Sequence, residues 1–129
     1  MMVVDTSALM AIALNEPAAN ACSAALEHSD DCLISAATVA EAMIVAARRN
    51  VTDEMEALIG ELGIEVVPVS VATARAVAAA YGQWGKGVHP AGLNFGDCFA
   101  YALARERGCP LLFVGDDFSR TDIISALVG

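Results

Sequence analysis

Four short apolar runs punctuate this chain at residues 2–4, 32–35, 64–69 and 111–114, and the longer stretches between them carry helical spacing. Runs this short suit strands better than buried helices, and their near-continuous apolar character suits strands covered on both faces. Strands alternating with helices predict an α/β fold: a central parallel sheet of four or five short strands flanked by helices on both faces. In such sheets ligands bind outside the carboxyl ends of the strands, which limits where a functional site can lie.

The intervening stretches predict helices over 8–14, 17–27, 36–49, 52–62, 71–84 and 93–107. Pro17 suits a first helical turn. Gly63 ends one helix, and Gly108 with Pro110 stops another. Pro68 gives the third strand an edge or strand-end position. A loop over 85–92 holds Gly85, Gly87, Pro90 and Gly92, and the tail from Asp116 is irregular, with a last strand or turn near 123–127. With 129 residues and neither repeat nor linker, the chain is expected to form a single domain over 1–129.

Acidic residues interrupt these apolar segments at four places. Asp5 closes the first strand, Glu41 lies in the helix after the second, Asp97 lies in the first turns of the helix before the fourth, and Asp116 with Asp117 follows the fourth. A carboxylate in apolar surroundings is costly unless paired or bound to a metal. The chain has seven Lys and Arg against sixteen Asp and Glu, so cationic partners are scarce. A hard cation such as Mg2+, with Mn2+ as an alternative, is the better explanation, and it points to metal-assisted phosphoryl chemistry.

Each position also has an ordinary explanation. Thr6, Ser7 and Asn94 are good helix caps. Glu41 on an amphipathic helix can face solvent, and Gly115-Asp116 is a turn signal. Asn94 and Asp97, three apart, share the side of a helix start, whereas Asp97 amid Phe95, Cys98, Phe99 and Tyr101 is in poor company for a surface acid. Tyr101 is expected in the core, and His28 and His89 in surface loops. Lys86 and Arg120 are the candidates for phosphate contact, because their loops should flank the acidic edge.

The segments Val-Val-Asp-Thr-Ser-Ala-Leu at the start, Gly-Lys-Gly-Val-His-Pro-Ala-Gly-Leu-Asn-Phe-Gly-Asp-Cys-Phe-Ala-Tyr-Ala-Leu-Ala in the middle and Leu-Leu-Phe-Val-Gly-Asp-Asp-Phe-Ser-Arg-Thr-Asp-Ile near the end resemble the PIN-domain family. Within it they resemble the VapC toxins of bacterial type II toxin–antitoxin systems, over the whole chain. The resemblance implies a metal-dependent endoribonuclease whose acidic quartet is Asp5, Glu41, Asp97 and the Asp116/Asp117 position. It also implies Mg2+ or Mn2+ on Asp5, Glu41, Asp97 and Asp116, and a polar position near the first acid at Thr6 or Ser7. A VapB-like antitoxin and a homodimer come with the same resemblance. Ser7, Thr6, Asn94 and Arg120 are the expected substrate contacts, and water as nucleophile predicts 5′-phosphate and 3′-hydroxyl products.

Two other functions compete. A Mg2+-dependent phosphatase or phospho-acceptor domain also places Asp after its first strand, but it wants a Lys at the same sheet edge. A non-catalytic module would use the acids to grip a basic peptide. A net charge of −9 argues against nucleic-acid binding through a broad basic surface. Cys22, Cys32, Cys98 and Cys109 lack zinc-site spacing and are expected to be reduced thiols. No run approaches the roughly 18 apolar residues of a membrane span and no basic region precedes the first apolar run, so a cytoplasmic location is expected.

Overall fold

In the computed structural model, which describes residues 1–127, strands and helices alternate as expected. The order is β1 (Met2–Val4), α1 (Thr6–Ala13), α2 (Ala19–His28), β2 (Cys32–Ser35), α3 (Ala36–Arg48), α4 (Thr52–Glu61), β3 (Glu65–Val67), α5 (Val71–Trp84), α6 (Phe95–Arg107) and β4 (Leu111–Leu112), followed by a 3-10 turn at Phe118–Arg120. The four strands form one sheet in the order β3-β2-β1-β4, and every pairing is parallel. The single domain expected over 1–129 takes in residues 128 and 129, which lie outside the described residues.

Alternation along the strands builds two cores. Val3, Leu33 and Leu111 point to one face and pack with Val77 of α5 and Phe99 and Leu103 of α6. Val4, Ile34 and Leu112 point to the other and pack with Leu9, Cys22, Ala42 and Met55 from α1 to α4. Each fully buried Leu, Ile or Met among them contributes about 1.5–3 kcal/mol relative to exposure. Covered on both faces, β1, β2 and β4 have no need of polar alternation, which is why they appear as short apolar runs; the edge strand β3 is largely exposed and carries Glu65. Among the described residues no helix is long and apolar enough to cross a membrane.

Element boundaries depart from the sequence expectation where backbone groups find other partners. The second helix starts at Ala19 rather than 17, because Asn15 takes a left-handed conformation (φ 52) and Ala19 N–H donates to the Glu16 carbonyl at 2.9 Å. The sixth begins at Phe95 rather than 93. Leu93 bridges to Gly85, with Leu93 N–H donating to the Trp84 carbonyl at 3.0 Å. β4 ends at Leu112 rather than 114, since Val114 N–H donates to a serine hydroxyl instead of a strand. The expected last strand is a single parallel bridge between Leu111 and Ser125.

The C-terminal segment is fastened to α6 by side chains. Trp84 Nε1 donates to the Tyr101 hydroxyl at 2.8 Å, which donates to Asp122 Oδ1 at 2.6 Å. Arg105 stands 3.6 Å from the same carboxylate. Tyr101 is thus a core residue, as expected, and belongs to this fastening rather than to the acidic edge. His89 is held in its loop, its Nδ1 accepting from Ala91 N–H at 3.0 Å.

Candidate active site

The carboxyl ends of β1 and β4 and the helices beside them enclose a cleft of about 240 Å³. Asp5, Thr6, Ser7, Glu41, Asp97 and Asp117 line it, with Met10, Val45, Val114 and Phe118 as apolar walls. Asp5 follows the carboxyl end of β1, its N–H donating to the Leu112 carbonyl of β4 at 3.0 Å. It also caps α1. Its Oδ2 accepts from Ser7 N–H at 3.0 Å and from the Ser7 hydroxyl at 2.7 Å. The Ser7 hydroxyl in turn accepts from Val114 N–H at 3.0 Å, so one serine ties the acid on β1 to the chain leaving β4.

Thr6 does the corresponding work for Glu41. Its hydroxyl donates to Glu41 Oε1 at 2.6 Å, with the Thr38 carbonyl at 3.5 Å. A hydroxyl has one proton, and the shorter, charge-assisted bond takes it. Both hydroxyls expected to contact substrate therefore orient carboxylates, while still lining the cleft.

Asp97 occupies the third position of α6, where a capping box fixes it. Asn94 N–H donates to Asp97 Oδ2 at 3.0 Å, and Asp97 N–H donates to Asn94 Oδ1 at 2.8 Å. Burial pushes the Asp97 carboxyl up to about 7, the Asn94 N–H holds it down, and the charges of Asp5, Asp117 and Glu41 raise it further. Burial likewise raises the Asp5 carboxyl, against the opposing Ser7 hydrogen bonds. Burial lifts the neighbouring Cys98 thiol to about 11, too high for a thiolate nucleophile at neutral pH.

At the Asp116/Asp117 position, left open by the sequence with the metal assigned to Asp116, Asp117 lines the cleft and Asp116 does not, which corrects the metal assignment. The turn is set by Phe118, which is 2% exposed and packs against Phe113 with ring centroids 5.2 Å apart. With Phe118 driven into the core, the Asp116 carbonyl becomes the turn's anchor, accepting from Ser119 N–H at 3.1 Å and from its hydroxyl at 2.6 Å. Arg120 does not line the cleft either; its Nη1 donates to the Pro90 carbonyl at 3.2 Å. Asn94 is a cap, and it borders a separate groove with Lys86, Tyr81 and Phe95. Lys86 so placed leaves the phosphatase reading without its cation at the acidic edge.

The donor set fits a divalent ion. Asp5 Oδ1 is buried and has no hydrogen-bond partner, a costly state for a carboxylate oxygen unless a cation meets it. The one ion pair among the described residues is Arg105–Asp122, so no Lys or Arg neutralises the cleft. Among the described residues no three acidic, His or Cys groups are gathered tightly enough to hold an ion directly. That suits Mg2+, which keeps several waters and takes only one or two carboxylates. Its one or two direct carboxylates would come from among Asp5, Glu41, Asp97 and Asp117, which line the cleft.

Comparison with known proteins gives the chain a family and its fold close counterparts. The PIN domain family matches residues 2–124. A VapC ribonuclease of Mycobacterium bovis is 44% identical over 125 residues, 95% of each chain. Among solved structures, VapC20 of Mycobacterium tuberculosis, a toxin that cleaves the sarcin–ricin loop, superposes with a TM-score of 0.79 at 15% identity, covering 96% of this chain and 97% of that one. A toxin–antitoxin complex from Klebsiella pneumoniae gives 0.71 at 18% identity, covering 100% and 97%.

Proposed function

Because the chain belongs to the PIN domain family, we propose that it is a VapC-type endoribonuclease, the toxin of a toxin–antitoxin pair, hydrolysing RNA phosphodiester bonds in the acidic cleft. The observation that carries this reading is the lining of one cleft by Asp5, Glu41, Asp97 and Asp117 with no basic side chain paired to them among the described residues. The relatives' names support the activity: the Mycobacterium bovis protein, 44% identical, is a VapC ribonuclease.

In this reading Asp5, Glu41, Asp97 and Asp117 are the catalytic acids, and the cofactor is Mg2+ or Mn2+. A bound divalent ion supplies positive charge for the scissile phosphate and a lowered pKa for its water. Ser7 holds Asp5 Oδ2 and leaves Oδ1 free to accept a cation. Thr6 holds the Glu41 carboxylate through its Oε1 at the edge of the same cleft. Burial and the neighbouring carboxylates raise Asp97 to about 7, so a divalent ion bound beside it would favour its deprotonated form. Water rather than the ribose 2′-hydroxyl acts as nucleophile, leaving 5′-phosphate and 3′-hydroxyl ends.

The partner in this proposal is a VapB-like antitoxin, a class supported by the toxin–antitoxin complex among the structural neighbours. Its inhibiting group would be a basic side chain that enters the cleft and competes with the ion. The proposal extends to a homodimer, which would cover exposed apolar surface at Phe95 and Ile44, and to a cytoplasmic site of action, where RNA is met.

Cleavage of total cellular RNA by the purified chain, with Mg2+, with EDTA, and beside Asp97→Asn, tests the assignment. Discrete metal-dependent fragments with 5′-phosphate ends should appear and fall on the order of 10²-fold or more in the variant. Equal cleavage by Asp97→Asn, or cleavage indifferent to EDTA, would refute it.

A further inference from the structure

We propose that Gly96 is a positioning residue of the acidic cleft, its missing side chain being the seat of the Glu41 carboxylate. The inference rests on the reading of the cleft as a metal centre in which Glu41 takes part. A methyl group built on Gly96 would meet Glu41 Cδ at 2.7 Å and Oε1 at 3.1 Å, with Oε2 closer still. All three of its nearest neighbours are atoms of that one carboxylate. Real side-chain carbons do not approach so closely, so a methyl at 96 has to expel the carboxylate.

Glu41 has little freedom to move aside at no cost. Its Oε1 is held at 2.6 Å by the Thr6 hydroxyl, so the carboxylate is clamped between a hydroxyl on α1 and a bare backbone on α6. Swinging it away from residue 96 would lengthen that bond and turn the oxygen away from Asp5 and Asp97. No left-handed backbone explains the glycine, because Gly96 is absent from the glycines with positive φ. Its position in the first turn of α6 would otherwise favour alanine on helix propensity. The helical glycines Gly60 and Gly82 behave differently: a methyl there would meet nothing within 4 Å. The space above Gly96 is therefore particular to Glu41. It also explains how an acid on α3 is brought beside Asp97, the residue that follows Gly96.

The test is Mn2+ affinity by calorimetry on the full chain, with melting temperature in EDTA as a second readout. Gly96→Ala should weaken Mn2+ binding by about 10- to 100-fold, the range for residues that orient metal ligands, while the EDTA melting temperature holds or rises. Gly82→Ala should bind Mn2+ as the wild type does. In a Glu41→Ala background, Gly96→Ala should leave Mn2+ binding unchanged, because the colliding group is gone, and should hold or raise the EDTA melting temperature by helix propensity alone. Wild-type affinity in Gly96→Ala overturns the proposal, and so does an equal loss in the Glu41→Ala background. If Gly96→Ala does not fold, Gly96→Ala/Glu41→Ala still should, melting at or above Glu41→Ala; its failure to fold would show that the methyl meets something else. Wild-type protein that binds neither Mn2+ nor Mg2+ would overturn the metal reading itself, and this inference with it, a result distinct from any behaviour of the variants.

Discussion

Burial beside three other carboxylates holds the Asp97 carboxyl at about 7 instead of its ordinary 3.8. Between those values the folded chain keeps a proton that the unfolded chain has lost. The native state thus binds more protons there, and the ion-free protein loses stability as pH rises through the window, with the loss complete above about 7. Thermal melts in EDTA from pH 4 to pH 8 should show the advantage of Asp97→Asn over wild type growing with pH; a constant difference would contradict this. Asp5 is shifted in the same direction and adds to the trend. Ser7 offers a second residue-level prediction. Ser7→Ala strands the Val114 N–H and removes the hydroxyl from Asp5 Oδ2, which should cost about 1–3 kcal/mol by denaturant unfolding. A cost near zero would mean that neither bond matters. The acids themselves were legible in the sequence, because each breaks an apolar segment. The choice between Asp116 and Asp117 was not, since it depends on Phe118 finding a core pocket that only the assembled fold provides.

At the level of elements, strands and helices were legible because burial on both sheet faces leaves apolar runs of strand length. What the sequence concealed was the use of single backbone groups. The shortening of β4 follows from Val114 N–H bonding Ser7, a partner 107 positions away that no local pattern announces. The start of α6 is a capping box, in which Asn94 serves the helix and Asp97 serves both helix and cleft. Asn94→Ala should therefore lower stability by about 1 kcal/mol and speed amide exchange in the first turn of α6, while Asn94→Asp restores both. Exchange unchanged from wild type in the alanine variant would remove Asn94 from this role. The candidate substrate contacts Asn94 and Arg120 lie outside the lining of the acidic cleft for one reason: a polar side chain near an acidic edge can be taken up by the backbone before any ligand arrives.

For the molecule as a whole, the cleft concentrates uncompensated negative charge in a chain whose net charge is already −9. A ligand that binds only the folded state adds stability as RT ln(1 + [L]/Kd), about 2.7 kcal/mol at a hundredfold excess over Kd. Saturating Mn2+ should accordingly raise the melting temperature by several degrees at fixed ionic strength, and Asp5→Asn should abolish the rise. An equal rise with added NaCl would reduce the effect to screening of net charge. The sheet order β3-β2-β1-β4 carries a consequence in time as well as in space. β1 precedes the other strands in chain order, yet one of its two neighbours is Leu111–Leu112, and Asp117 follows that strand. Asp5 and Asp117 thus meet only when segments more than a hundred residues apart have paired, so the power to cut RNA is gained with the last long-range contact of folding and lost with the first one to open.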